Sequence, residues 1–150
     1  MSVNPALQGR SYPPLPPYLV GREKVREFAR AVFASDPLNV DVEAARAAGF
    51  ADVVAPPTFG VVVQEGALHQ LIDDPDAGID FSRVVHGEQR FTSTRPIVAG
   101  DKLTATLTVT AVKSLGGNSM VTAATAITDA AGEHVTTAIS TLVVRGEDAA

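Results

Sequence analysis

His86 and Glu88 combine two titratable side chains at a spacing that suits acid–base chemistry. They lie two residues apart in VVHGEQR, and alternate residues of a β-strand point to the same face. An imidazole that titrates near neutral pH can exchange protons beside a carboxylate, as general acid–base catalysis requires. The alternative is a structural histidine that bonds a neighbouring loop, with Gly87 marking a β-bulge. We favour this alternative, because most buried polar groups only satisfy hydrogen bonds.

Ser35 and Thr58 carry hydroxyl groups, which act as nucleophiles in some enzymes. Neither residue lies in a G-x-S-x-G turn, and neither has a base nearby in the sequence. Ser35 precedes Asp36, and this pair is typical of the turn at a helix end. The pattern therefore gives little support to nucleophilic catalysis by either residue.

The composition excludes several classes of function. The 150 residues carry a formal net charge of −5 and no basic run, so a nucleic-acid or anionic-membrane partner is not expected. No cysteine is present, which excludes a disulfide framework, a thiolate nucleophile and a cysteine-based metal site. His69, His86 and His134 lie far apart without HExxH-like spacing, so neither a metal site nor a cofactor is predicted. We interpret His69 and His134 as surface residues near a helix end and a turn.

The N-terminal stretch predicts a cytoplasmic protein with an unusual arm. Residues 1–20 lack the basic and apolar regions of a signal peptide. No apolar run approaches the roughly 18 residues that a membrane span needs. Five prolines within residues 1–20 predict an extended arm or edge strand that cannot form a helix.

Three helices are predicted in the first half of the chain. The first covers about 22–34, the second about 41–48 with Gly49 as its stop, and the third about 58–71. The apolar stripe of the first helix consists of Val25, Phe28, Ala29, Val32 and Phe33. The third helix is small or apolar nearly all round, which predicts a buried element.

From Arg83 onward the apolar residues alternate with period two, which is typical of β-strands. Residues 103–112 alternate without a break and place Leu103 and Ala111 on the same face. Four strands, with a hairpin loop over 114–118, predict a strand meander. The predicted fold class is α+β: a single domain over 1–150, a curved antiparallel sheet wrapped around one long buried helix, and a polar tail over 145–150. The uncovered sheet edges predict a dimer.

Three runs in this order resemble a known family: FARAVFASDPLNVD, AARAAGF and VVAPPTF. The MaoC-like (R)-specific hydratase and dehydratase group, which has the hotdog fold, shows F-A-x-x-S-G-D-x-N-P-L-H-x-D, then A-x-x-x-G-F, then I-A-H-G-M-F. The later run RPIVAGDKLTATLTV resembles the family's P-x-x-x-G-D-x-L-x-x-x-x-x-V. The likeness covers about residues 20–145. The runs REKVREFARAV and VVHGEQRFTSTRPIVAGD resemble those of small FAS1-like dehydratase-domain proteins of actinobacteria, which include the A-type subunit of a heterodimeric (3R)-hydroxyacyl-ACP dehydratase.

The resemblance places the family's catalytic Asp on Ala34, its catalytic His on Asn39 and its Gly on Phe33. Pro37 and Asp41 match the family's Pro and closing Asp. Dehydration of a 3-hydroxyacyl thioester removes a C2 proton and protonates the departing hydroxyl, and the family's His/Asp pair supplies the base and the acid. Alanine has no titratable group, and asparagine cannot exchange a proton near pH 7. The resemblance therefore implies a scaffold without its own dyad.

Glu65 is a further candidate that the resemblance suggests. Another hotdog dehydratase type, and some hotdog thioesterases, place a catalytic carboxylate on this helix, in a run similar to Gly60 to Ala67. That dehydratase type also needs a histidine shortly before the helix, and GFADVVAPP contains none. We favour the interpretation of Glu65 as a carboxylate on the thin polar edge of the helix.

Three functions fit these residues. The first is an acyl-chain-binding hotdog subunit of fatty-acid-type metabolism, which takes an acyl-CoA or acyl-ACP thioester and works in a dimer with a partner that carries the Asp and His. The second is a self-sufficient homodimeric dehydratase, hydratase or thioesterase that uses Glu65 or His86 with Glu88. The third is a stand-alone acyl-CoA or acyl-ACP binding protein. The residues that the resemblance assigns to substrate binding are Asn39, Thr58, Phe59, Val62 and Val63.

Overall fold

The computed structural model describes residues 2–147, which form one antiparallel sheet and three α-helices. The helices are α1 (Arg22–Ala31), α2 (Val42–Ala47) and α3 (Gly60–Ile72). The strands are β1 (Tyr18–Leu19), β2 (Val84–Ser93), β3 (Lys102–Leu115), β4 (Asn118–Thr128) and β5 (His134–Val144). Single 3-10 turns lie at Pro5–Leu7, Pro37–Asn39, Pro75–Ala77 and Phe81–Arg83. The last three residues of the predicted polar tail lie outside the described residues.

The sheet has the strand order β1-β3-β4-β5-β2, and all neighbours are antiparallel. The strands β3, β4 and β5 form a meander, as predicted. However, β2 pairs with the far side of β5, from Val84 opposite Val144 to Ser93 opposite Thr136. The predicted four-strand meander is therefore wrong at β2, because the link over 94–101 crosses over to the other side of the sheet.

The N-terminal arm adds to the edge of β3. Tyr12 donates its backbone N–H to the Leu107 carbonyl at 2.9 Å, and Tyr18 of β1 pairs with Leu103. These contacts make the arm an edge strand, as predicted. The turn at Pro5–Leu7 contradicts the prediction that the arm cannot be helical. A single 3-10 turn is allowed because the fixed φ of proline suits the first position of a helix.

The helix α3 packs against β3, β4 and β5 and contributes to the centre of the core. It begins two residues later than predicted, after the fully buried Phe59. Its buried residues are Gly60, Val63, Gln64, Ala67 and Leu71. The sheet covers one side of α3, and Glu65 on the opposite side is exposed, where the sequence predicted a thin polar edge. Between residues 2 and 147, no helix is long and apolar enough to cross a membrane.

A β-bulge interrupts β3. The pairing with β4 shifts register between Val109 and Ala111, which inserts an extra residue in β3. Val109 is fully buried, whereas Ala111 is half-buried and Val112 packs against the core. The predicted unbroken alternation is therefore wrong beyond Val109. The predicted hairpin is confirmed, with Gly116 and Gly117 at positive φ between the two strands.

The helix α1 ends at Ala31, three residues earlier than predicted. Val25 and Ala29 are buried, as the stripe predicted, but Val32 and Phe33 lie beyond the helix and are exposed. Phe33 has a φ of 59°, and this left-handed residue turns the chain away from the helix axis. Those two residues leave the predicted stripe because the helix stops before they can complete it.

Candidate functional site

The turn after α1 lines a cleft of about 520 Å³. Ala34 and Asn39, five residues apart in the sequence, both contribute to its wall. Leu38 of the same turn also lines the cleft, and other lining residues come from the loop before α3 and the link after β2, among them Val54, Pro56, Thr94, Arg95 and Ile97. The structure therefore brings together, at one cavity, the two positions that the resemblance aligns with the catalytic dyad.

A 3-10 turn holds Asn39 inside the cleft. Asp36 begins the turn, and its side-chain oxygen accepts the Leu38 N–H at 3.0 Å. Asn39 is only 8% exposed, and its Nδ2 donates to the Val54 carbonyl at 2.7 Å. The Val54 N–H in turn donates to the Leu38 carbonyl at 2.8 Å. These bonds place an amide without a titratable proton where the resemblance puts a histidine.

An ion pair ties the start of α1 to the loop that leads to the cleft. The Arg22 guanidinium donates to both carboxylate oxygens of Asp52, at 3.0 and 2.7 Å. The Val53 N–H also donates to Asp52, at 2.7 Å. The hydrogen bond from Arg22 is the main cause that lowers the pKa of Asp52 from 3.8 to about 2. The folded chain therefore favours the ionised carboxylate.

We expect Asp52→Asn to lower the free energy of unfolding by about 1 kcal/mol at pH 7 and by much less at pH 2. The pKa of Asp52 is lower in the folded than in the unfolded chain, so its stabilising effect is present above pH 3.8 and is lost as the pH falls to about 2. Urea unfolding of both proteins from pH 2 to pH 7 measures the difference. Glu133→Gln, on an exposed turn, is the control. A difference that stays constant over this range would contradict the assignment.

Arg95 stands on the wall formed by the link between β2 and β3. Its guanidinium donates to Asp101 at 2.8 and 3.1 Å and to Asp129 at 3.4 Å. The hydrogen bond to Asp101 is the largest of the effects that raise the pKa of Arg95. These carboxylates neutralise the charge of Arg95, and their hydrogen bonds hold this wall of the cleft in place. We therefore interpret Arg95 as a structural residue. Sequence reasoning missed this role, although Arg95 and Asp101 both lie in RPIVAGD.

A second groove, of about 470 Å³, adjoins the cleft and shares Pro57 and Ser93 with it. Thr58, Val61 and Phe91 also line this groove. The two cavities together follow the start of α3 and the end of β2, and apolar side chains make up most of their walls. An extended apolar chain therefore suits this surface better than a compact charged ligand.

The other residues that the resemblance assigns to substrate binding, namely Phe59, Val62 and Val63, lie outside the cleft and the groove. Phe59 is fully buried, and its ring packs edge-on against a second phenyl ring, with 5.3 Å between the centroids. Val62 and Val63 line a separate cavity of about 250 Å³ beneath the N-terminal arm. The structure thus places Asn39 and Thr58 on adjoining surfaces and the two valines on a different one.

The side chains of His86 and Glu88 do not pair. A register shift at Gly87 marks a β-bulge in β2, which breaks the alternation that would place both on one face. His86 Nε2 lies 3.1 Å from the Glu88 backbone carbonyl oxygen, while the Glu88 carboxylate accepts from Arg90 Nε at 3.1 Å. The predicted shared face is therefore wrong, and the alternative prediction of a bulge at Gly87 is confirmed.

Glu65 lies on the outer side of α3, away from the cleft. It lines a pocket of about 290 Å³ together with His69 and His86, and all three residues are exposed. Ser35 is also exposed and is absent from the cleft wall. His134 is half-buried, and its ring nitrogens bond two threonine hydroxyls. Within residues 2–147, no three His, Asp or Glu side chains are grouped to hold a metal ion.

A buried polar network that sequence reasoning missed lies between α3 and the sheet. Gln64 is fully buried, and its Nε2 donates to Ser140 Oγ at 2.7 Å. The Ser140 hydroxyl donates to the amide oxygen of Gln89, which lines the second groove. Gln64 Oε1 and Gln89 Nε2 have no hydrogen-bond partner among the described residues. The available signal was a lone glutamine after three valines in VVVQEGAL.

Known proteins share both this sequence and this fold. The sequence matches the family described as "FAS1-like, dehydratase domain region" over residues 6–138. A UPF0336 protein of Leifsonia xyli subsp. xyli is 74% identical, over 97% of this chain and 98% of its own. A solved "MaoC-like dehydratase" is 38% identical with a TM-score of 0.88, over 95% of this chain and 43% of the solved chain. The HadBC (3R-hydroxyacyl-ACP dehydratase) complex from Mycobacterium tuberculosis is 34% identical with a TM-score of 0.82, over 91% and 96%.

The sheet, the helix α3 and these likenesses define a hotdog-fold protein related to MaoC-like dehydratases. The chain belongs to the FAS1-like dehydratase domain region family. The predicted α+β fold class is confirmed, and so is the resemblance to MaoC-like dehydratases.

Proposed function

We propose that this chain is the acyl-chain-binding subunit of a (3R)-hydroxyacyl-thioester dehydratase, and that a hotdog partner supplies the Asp and His. The observation that carries the proposal is that Ala34 and Asn39 line one cleft. By the resemblance, these two positions correspond to the catalytic Asp and His of the family's dehydratase site. Neither alanine nor asparagine offers an acid or a base near neutral pH. A retained cavity in which neither dyad position can transfer a proton fits a binding subunit.

The acyl chain occupies the cleft and the adjoining groove. Leu38, Val54 and Ile97 provide apolar walls in the first, and Val61 and Phe91 in the second. Burial of each methylene contributes about 0.8 kcal/mol, so affinity should rise with chain length. The ligand is an acyl-CoA or acyl-ACP thioester of fatty-acid-type metabolism.

The free edge of β2 is where the partner docks. β2 pairs with β5 on one side, and no strand among the described residues pairs with its other edge. Val85 within β2 is 53% exposed, and Phe81 just before it is 61% exposed. A second hotdog chain that pairs with β2 would satisfy the open backbone groups and cover these apolar side chains. The likeness to the HadBC complex supports an assembly of two chains.

A second candidate function is a self-sufficient homodimer that uses Glu65 and His86. The observation in its favour is that both side chains line the same pocket of about 290 Å³. Against it, both residues are exposed and the pocket is separate from the cleft. The third possibility, a binding protein that works alone, uses the same cleft without a catalytic partner.

An assay with and without a dyad-bearing hotdog partner separates these functions. The purified chain is given a 3-hydroxyacyl-CoA or an enoyl-CoA, alone and with the partner, and the partner alone is the control. We expect no turnover by the chain alone, and an increase of about tenfold in the partner's turnover of long-chain substrate, which corresponds to about 1.4 kcal/mol of binding energy.

Each alternative has its own outcome in this assay. Turnover by the chain alone that is lost in Glu65→Gln or His86→Ala would contradict our proposal and support the homodimeric enzyme. Saturable binding of the thioester without any effect on the partner would support the binding protein. Glu65→Gln should not change the effect of the chain on its partner, because Glu65 lies on α3 rather than β2 and does not line the cleft.

A further inference from the structure

Phe33 follows the end of α1 in a backbone conformation that residues other than glycine rarely adopt. Its φ is 59°, and it is the one non-glycine residue with positive φ among residues 2–147. Its N–H donates to the Arg30 carbonyl at 3.2 Å, and the Ala34 N–H donates to the Ala29 carbonyl at 2.8 Å. These two bonds define a Schellman motif with Phe33 at the position that usually holds glycine.

The end of α2 provides an internal comparison. Gly49 has a φ of 96°, its N–H donates to the Arg46 carbonyl, and the Phe50 N–H donates to the Ala45 carbonyl. The same motif therefore occurs twice in this chain, once with glycine and once with phenylalanine. Glycine adopts a positive φ readily, whereas a residue with a Cβ atom is strained there.

Burial of the Phe33 ring within the chain does not compensate for this backbone strain. The residue is 92% exposed, and the preceding Val32 is 43% exposed. The following residue, Ala34, lines the cleft, and consecutive Cα atoms are only about 3.8 Å apart. A solvent-exposed phenylalanine with a strained backbone thus directly precedes a residue of the cleft wall.

We propose that Phe33 is a ligand-binding residue whose ring closes over the acyl chain in the cleft. The cleft has apolar walls at Leu38, Val54 and Ile97. The cleft leaves one side of a bound acyl chain in contact with water. A ring that folds against that side would remove apolar surface of the ring and of the acyl chain from water. The inference rests on the proposed acyl-binding function and names the residue that favours long chains.

Phe33→Gly tests the proposal because it should stabilise the fold and at the same time weaken acyl binding. The melting temperature is expected to rise by about 2 °C, since glycine adopts a positive φ without steric strain. The Kd for dodecanoyl-CoA, measured by calorimetry at a saturating concentration of the dyad-bearing partner, is expected to rise about tenfold. The Kd for coenzyme A alone should not change. A purely structural role would improve stability without weakening acyl binding.

Gly49→Ala is the matched control in the second Schellman motif. A Cβ atom at Gly49 meets no atom within 4 Å, so its effect comes from the positive φ alone. It is expected to lower the melting temperature by about 3 °C and to leave the Kd for dodecanoyl-CoA unchanged.

Three results would overturn the inference. Unchanged affinity for dodecanoyl-CoA in Phe33→Gly would remove the ring from the binding site while leaving the proposed function intact. Weaker association with the partner at unchanged acyl affinity would assign Phe33 to the subunit interface instead. Absence of acyl binding by the unmodified chain, with or without partner, would overturn the proposed function itself and this inference with it.

Discussion

The combined substitution Ala34→Asp and Asn39→His is expected to raise the rate of enoyl-thioester hydration by this chain by about 10²- to 10⁴-fold. Both positions line the same cleft, so a carboxylate and an imidazole introduced there would face one ligand. The Asn39 Nδ2 donates to the Val54 carbonyl at 2.7 Å. An imidazole N–H that makes this bond would leave the other ring nitrogen free to exchange a proton with the ligand.

The measurement is the change in absorbance of the enoyl thioester during hydration by the purified double variant, without any partner. The combination of Ala34→Asn with Asn39→His is the matched control, because it has similar shape but no carboxylate. Each single substitution should give much less than the pair, since the acid and the base act on the same reaction. A double variant that is folded and binds the thioester, but hydrates it no faster than the unmodified chain, would contradict the assignment of these positions to a dyad.

Phe59→Ala is expected to lower the free energy of unfolding by about 3 to 5 kcal/mol, which is the largest effect on stability that we predict. Phe59 is fully buried at the start of α3, and its ring is edge-on to that of Phe28. Removal of the ring would leave a cavity between α1 and α3 that the neighbouring elements cannot fill without moving. The free energy of unfolding of a small domain is about 5 to 15 kcal/mol in total, so this substitution should remove a large fraction of it.

Urea unfolding followed by circular dichroism measures this loss at a fixed protein concentration. Leu115→Ala is the control, because Leu115 is 68% exposed at the hairpin between β3 and β4. Its substitution should change the free energy of unfolding by less than about 0.5 kcal/mol. A loss below about 1 kcal/mol for Phe59→Ala would show that the contact between the two rings does not hold α1 on α3.

Local patterns predicted most of the elements. The alternation after Arg83 identified all four long strands, and the two glycines at 116 and 117 marked the hairpin. The end of α2 before Gly49 was predicted because glycine readily adopts a positive φ. The structure gives Gly49 a positive φ. The same rule failed for α1, where Phe33 takes the left-handed position that a sequence reader would not assign to phenylalanine.

Long-range arrangement escaped the local patterns. The order of β2 in the sheet depends on a crossover over 94–101, and a turn-rich stretch does not specify which strand its ends will pair with. The bulges at Gly87 and beyond Val109 change which residues share a face. A bulge inserts one residue into a ladder, so its position depends on the partner strand as well as on the strand itself.

The sequence by itself determined that two particular side chains cannot transfer protons. Ala34 and Asn39 cannot act as acid or base near pH 7 in any fold, because the ability to exchange a proton belongs to the side chain. Only the tertiary structure decided that these two residues share one cavity, while His86 and Glu88 bind different groups despite their suitable spacing. Convergence on a site depends on how turns, bulges and packed helices orient residues, and these contacts join parts of the chain that local sequence does not relate.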